Sequence, residues 1–304
     1  MAAPIGAASA PAPNADPEAT VVAELVVRAR TPGPAWWRVS KGDSVVWVLG
    51  VPDGLPRGTQ WDKTVLAQRL TGAKRLILPP AYTLGVFDLF GAMMLRGKLK
   101  AHAPIEASLP PDLRARYLAA AVLLGQPPSH YDGWRPGVSG LFMLADFRKR
   151  ADIRNGAPMS GIKSTAASKG VHMTPASSHR AVPVLRDLAD RMTPQVDLAC
   201  LDDALKEIEA GPGLIRTSAQ AWTRGDVPVA LTAARGFEEC LASFPEFRLR
   251  VRQDEEDYAV AIARELATPG VSVAAIPLRS LVAEDGVLEK LKAQGFEVRT
   301  PATD

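Results

Sequence analysis

Residues 36–61, WWRVSKGDSVVWVLGVPDGLPRGTQW, constrain the fold more than any other stretch of the chain. Two runs of aromatic and β-branched residues flank Lys41-Gly42-Asp43, the pattern of a β-hairpin. The second run continues as a buried strand and then breaks at Gly50-Val51-Pro52-Asp53. A loop after a strand end is where a fold of this kind puts its chemistry. Here the break carries a proline and an aspartate, with no nucleophile and no cluster of metal ligands.

The strand is followed by DKTVLAQRLTGA, a short helix ending at Gly72, and by KRLILPP, a strand stopped by Pro79 and Pro80. TVVAELVVRAR, upstream of the hairpin, is rich in β-formers and reads as an edge strand. From Ala81 to about residue 245 the pattern is helical, with LPPDLRARYLAAAVLLG and GVSGLFMLADFRKRADI as clear amphipathic segments. Residues 154–181 lack periodicity and read as a loop. EFRLRVRQDEEDYAVAIARELA is one long helix or two, and GVSVAAIPL, DGVLEKLKAQG and FEVRTP close the chain as strand, helix and strand. The predicted fold is α/β (mixed α+β). Its central sheet is built from the N- and C-terminal segments around a large helical middle, and the similar order at both ends hints at duplicated halves.

Composition bounds the function. The chain has 304 residues, of which 47% are hydrophobic, enough for a substantial core over residues 21–304 as a single domain. The net charge of +3 is dispersed and no long basic run occurs, so nucleic-acid binding has no compositional support. No apolar stretch reaches the ~20 residues of a membrane span. Residues 1–20 are rich in Ala and Pro and are expected to be disordered. They lack the basic and apolar regions of a signal peptide but resemble the segment that follows a removed one. That gives two readings, an exported periplasmic protein or a cytoplasmic one with a loose tail. The cysteines, Cys200 and Cys240, are too few and too far apart for a zinc site. In an exported chain two states are open to them, one disulfide or two free thiols; in a cytoplasmic one they would be small buried hydrophobes.

The order of several segments resembles the TraB/GumN family of metal-dependent hydrolases, related to Tiki proteases and more distantly to erythromycin-esterase-like folds. WWRVSKGDSVVWVLG and RGTQW fit the family's hairpin, its strand ending Leu-Gly-Thr-x-His and its Pro-Gly-x-x-Trp segment. ALKEIEAGPGLIRTSAQAWTRGDVPVAL is similar to its helix and Ala-Trp-x-x-Gly-Asp segment, and VSVAAIPLRSLVAEDGVLEKLKAQGFEV to its C-terminal run. The resemblance implies two Gly-x-x-His motifs that hold a divalent metal with help from acidic groups. In this chain Gly50 remains, Asp53 stands at the first His position, and Ser280, three residues after Pro277, stands at the second. Pro79 takes the place of a Glu, and Asp254 and Glu255 that of an Arg-Asn pair, with Tyr258 in the place of a Trp. An acidic position falls near Pro175. A hydroxyl and a lone carboxylate do not hold a catalytic transition metal. The resemblance thus implies a scaffold without its metal site: a pseudoenzyme with no catalytic residue and no cofactor, binding a protein, peptide or envelope component.

Individual residues leave alternatives. Asp53 is either a general base in a hydrolase with a remodelled site, with a divalent metal under that reading, or the turn residue of Pro52-Asp53-Gly54. Asp53, Trp61 and Ser280 are the candidates to line a ligand groove. His102, His130, His172 and His179 read as surface or loop residues, because no metal-binding spacing relates them. The run Asp254-Glu255-Glu256-Asp257 reads as a solvated helix start.

Overall fold

The computed structural model describes residues 16–83, 88–233 and 235–303. Its strands, in chain order, are β1 (Trp36–Lys41), β2 (Ser44–Val51), β3 (Gly54–Pro56), β4 (Arg75–Leu78), β5 (Ala81–Thr83), β6 (Ile153–Asn155), β7 (His172–Pro175), β8 (Ser178–Arg180), β9 (Gly270–Pro277) and β10 (Glu297–Arg299). Six of them make one mixed sheet in the order β10-β1-β2-β9-β4-β7. β1 and β2 form the expected hairpin, with Lys41 opposite Ser44 across a two-residue turn in which Gly42 takes φ 55°.

β2 then runs parallel to β9, from Ser44 beside Gly270 to Val51 beside Pro277. β4 lies parallel to both β9 and β7. Interior parallel strands are covered on both faces, which is why Val46, Val48 and Leu49 of β2 and Val273–Ile276 of β9 are fully buried. Helices Pro245–Leu266 and Leu278–Val282 pack on β2 and β9, while Thr64–Leu70 and Ala157–Ser168 pack on each other and on β9 and β7.

The parallel strands stop together, and proline marks each stop: Pro52 after β2, Pro79 after β4, Pro175 ending β7 and Pro277 ending β9. A proline has no N–H to donate to the next rung, so the ladder ends and the chain turns into loops. In an open α/β sheet this carboxyl edge is where ligands bind.

A helical unit covers that edge. Helices Pro111–Leu124, Pro136–Arg150 and Pro194–Ala210 share a core that includes Tyr117, Met143, Phe147, Leu201 and Ile208. Gly140 lets two of them touch closely, since a Cβ there would lie 3.1 Å from that of Ala204. Cys200 and Cys240 are joined by a disulfide, with Cα atoms 4.9 Å apart, tying helix Pro194–Ala210 to helix Gly236–Ala242. No described helix is long and apolar enough to cross a membrane.

The structure corrects several sequence expectations. TVVAELVVRAR is not a strand: it holds a short 3-10 turn at Ala23–Leu25 and isolated bridges from Val21 to Ala283 and Arg28 to Asp226. Leu25 is fully buried, so this segment is held by an anchor rather than by a ladder. Residues 154–181 are not a loop; they carry helix Ala157–Ser168 and strands β7 and β8, so the middle of the chain supplies one strand of the main sheet. Of the expected disordered segment, residues 1–15 lie outside the described residues, whereas Asp16 and Glu18 are ion-paired to Arg235. The acidic run at 254–257 is not a helix start, because the helix begins at Pro245. Four consecutive residues span every face of a helix, and Glu255 is the one turned inward, 1% exposed.

Candidate functional site at the carboxyl edge of the sheet

Beyond β2 the chain passes Pro52 and Asp53 and pairs β3 with β6, with the Asp53 carbonyl accepting from Gly156 N–H at 2.9 Å. This brings Asp53 to a cavity of about 80 Å³ between sheet edge and helical unit, walled also by Arg148, Glu207, Arg235, Glu238 and Arg279. Cavities that enclose drug-sized ligands run to roughly 300–1,000 Å³, so this one admits a few waters or a carboxylate group. Asp53 stays exposed at its rim, yet protein atoms crowd its carboxyl. Loss of bulk water pushes that carboxyl up to about 6; Glu238 and Glu18 add like charge, and Arg148 and Arg235 oppose them.

Gly50 is a packing residue. A Cβ there would stand 2.5 Å from Leu278 Cδ1 and 3.0 Å from the Trp37 ring. Pro277 caps the short helix Leu278–Val282, which carries Arg279 and Ser280. Ser280 does not line the Asp53 cavity. Its Oγ donates instead to Glu18 Oε1. Glu18 Oε2 accepts from Arg235 Nη2 at 3.1 Å, and Asp16 Oδ2 from Arg235 Nη1 at 2.7 Å. Arg279 Nη2 donates to the Leu231 carbonyl at 2.6 Å. Burial, with the like charge of Arg235, pulls the Arg279 guanidinium below its ordinary value.

Glu255 lies deeper. Its Oε2 accepts from Lys290 Nζ at 3.2 Å, while Oε1 and the hydroxyl of Tyr258 have no hydrogen-bond partner among the described residues. Burial pushes the Glu255 carboxyl up to about 8, against the pull of Lys290. Trp61 is elsewhere, edge to face with Trp222 at 5.2 Å and lining a shallow depression with Lys63 and Gly161.

Asp254 joins a second cluster. Its Oδ2 accepts from Tyr82 Oη at 2.6 Å, and helix Pro245–Leu266 places it beside His179 and Asp257. Among the described residues these three are the one group whose ligand atoms come close enough to hold a metal ion. Arg250 occupies the middle: its Nη2 lies 2.6 Å from Asp254 Oδ1, 2.9 Å from His179 Nε2 and 3.4 Å from Asp257 Oδ2. A guanidinium thus stands where a cation would. Ser177, His179 and Asp257 also fail as a catalytic triad. Ser177 Oγ and Asp257 Oδ2 both approach Nε2, at 2.7 and 2.8 Å, whereas a triad uses the two ring nitrogens separately.

A family model described as the TraB/PrgY/gumN family matches residues 35–300. The chain belongs to the TraB/PrgY/gumN family. Neither a curated protein nor a solved structure matches it significantly.

The divalent metal that the sequence resemblance implies does not fit the residues at Asp53 and Ser280. The serine hydroxyl is committed to Glu18, the guanidiniums of Arg148, Arg235 and Arg279 line the same space, and loss of water around Asp53 disfavours its charged form. Sequence reasoning missed Arg235, Arg279, Glu18 and the His179 cluster. Arg279 adjoins Ser280 and was within sight; nothing local distinguishes Arg235 or Glu18 from surface charges.

Proposed function

We propose that this TraB/PrgY/gumN protein is a catalytically degenerate member of its family, exported to the bacterial periplasm and acting as a binding or structural module of the envelope. The observation that carries this reading is the arginine–carboxylate network at the sheet edge, with Ser280 and Arg235 both bound to Glu18, where the resemblance implies metal ligands. Arginines repel a divalent ion and attract carboxylates, so the site chemistry is that of recognition. Export is supported by the buried disulfide, which an oxidising compartment maintains. The partner class is a protein, a peptide or an envelope component.

One observation favours a second reading. A carboxyl raised to about 6 at the rim of a cavity is suited to general-base work, so a peptidase- or esterase-type hydrolase remodelled around Asp53 is the competitor. That reading needs a second acid or base at the cavity, and the neighbouring carboxylates, Glu207 and Glu238, are turned to Arg148. Metal analysis of the purified protein, with and without added manganese or zinc, separates the two. The proposal expects no stoichiometric metal; tight metal that disappears in Asp53→Ala would defeat it.

A further inference from the structure

Arg235 and Arg279 form a wall shared by the Asp53 cavity and an open depression of about 540 Å³, lined also by Asp16, Ala19, Glu239 and Ser243. Both guanidiniums are partly buried, and each is within reach of the other's charge. Such a pair calls for anions. Among the described residues, the carboxylates bonded directly to Arg235 come from Asp16 and Glu18, outside the 35–300 span of the family domain.

The geometry of that contact is peptide recognition. Asp16–Ala19 is a turn closed by Ala19 N–H to the Asp16 carbonyl at 3.1 Å, with Pro17 at its second position. The turn puts both carboxylates on one side, one at each arm of Arg235. The Glu18 main-chain carbonyl accepts from Arg235 Nη1 and Arg279 Nη1, each at 3.3 Å. The chain then extends along residues 282–284: Glu284 N–H donates to the Thr20 carbonyl at 3.1 Å, and Val22 N–H to the Val282 carbonyl at 2.9 Å. Side-chain carboxylates, a main-chain carbonyl and a strand-like bridge are therefore all read together.

We propose that this wall is a receptor for an acidic peptide segment with two carboxylates flanking a turn, and that residues 16–20 are its tethered occupant. The proposal rests on the binding-module reading and supplies its ligand class. Main-chain contacts favour a peptide over a free phosphate or other small anion. A tethered occupant acts at an effective concentration on the order of millimolar, so an outside peptide enters only in excess or where the tether is weakened.

Two measurements on the full chain test it, with a labelled peptide of residues 14–22 and a control peptide carrying Asn and Gln for its Asp and Glu. In fluorescence anisotropy, the Asp16→Asn/Glu18→Gln variant should bind the acidic peptide at least tenfold more tightly than the unaltered protein does. Adding Arg235→Gln should remove that gain. Equal binding by variant and unaltered protein, or equal binding of the control peptide, overturns the proposal. If the variant does not fold, hydrogen exchange on the unaltered protein decides. Millimolar acidic peptide should speed exchange of the Val22 amide severalfold, and the control should not; no difference between the two overturns the idea. Metal found at Asp53 would end the pseudoenzyme reading while leaving both readouts as they are, so the two failures are distinguishable.

Discussion

The indole N–H of Trp222 donates to the carbonyl oxygen of Gly50 at 2.7 Å, linking two segments 172 residues apart in sequence. Gly50 belongs to the strand end after the hairpin and Trp222 to the AWTRGD segment, both of which carry the family resemblance. Their bond is structural, so the features that identify the scaffold do not depend on the chemistry of the site: they pack and hydrogen-bond whatever the site does.

Substitution at either end should therefore cost stability. Gly50→Ala forces a Cβ to 2.5 Å from Leu278 Cδ1 and should destabilise by about 1–3 kcal/mol. Trp222→Phe removes the side-chain hydrogen bond to the Gly50 carbonyl and should cost about 1–3 kcal/mol. Urea unfolding of both variants checks this, and a midpoint shared with the unaltered protein would refute the account.

Arg250 is held by Asp254 and Asp257 and touches His179, the position of a bound cation. Removing it leaves an imidazole and two carboxylates with compatible reach. Arg250→Gln should thus gain a zinc site of micromolar or tighter affinity that the unaltered protein lacks. Equilibrium dialysis would show one ion per chain, lost again when His179→Ala is added.

The hairpin and the buried strands were legible because their signals are local: period-two apolarity, a Gly-Asp turn and proline stops. β7 was not. It is a four-residue strand containing His172 and Thr174, and only its pairing with β4 makes it a strand. The same limit hid the site. Asp53, Ser280, Asp254 and Glu255 were all singled out, but they fall into separate environments, because Arg235 and Glu18 claim the space between Asp53 and Ser280. Ion pairs spanning more than 200 residues leave no trace in a local pattern, and Glu255 looked like a surface charge because its neighbours in sequence are.

The disulfide closes a separation of 40 residues that includes Trp222 and Arg235. In the chain-entropy picture its loss should cost about 4 kcal/mol. The Cys200→Ser/Cys240→Ser variant should unfold at a clearly lower urea concentration, matching the reduced native protein. Thiol titration of the denatured, unreduced protein should find no free thiol; two would remove both the bridge and its support for export.

Glu255 gives the chain a stability that depends on pH. Its carboxyl is held at about 8 in the folded protein against an ordinary 4.5, so the folded state binds the proton more tightly than the unfolded state does. Its contribution is fully present below about 4.5 and is lost as pH rises to about 8. Asp53, at about 6 against 3.8, adds a slope of the same sign over a lower and narrower range. Glu255→Gln cannot ionise, keeps the shape and still offers an oxygen to Lys290. The variant should be more stable than the unaltered protein at pH 8, by about 1–3 kcal/mol after allowing for the weakened ion pair. At pH 5 the two should melt together. Thermal unfolding across pH 5–8 reads the difference directly, and parallel curves for the two proteins would place the proton elsewhere.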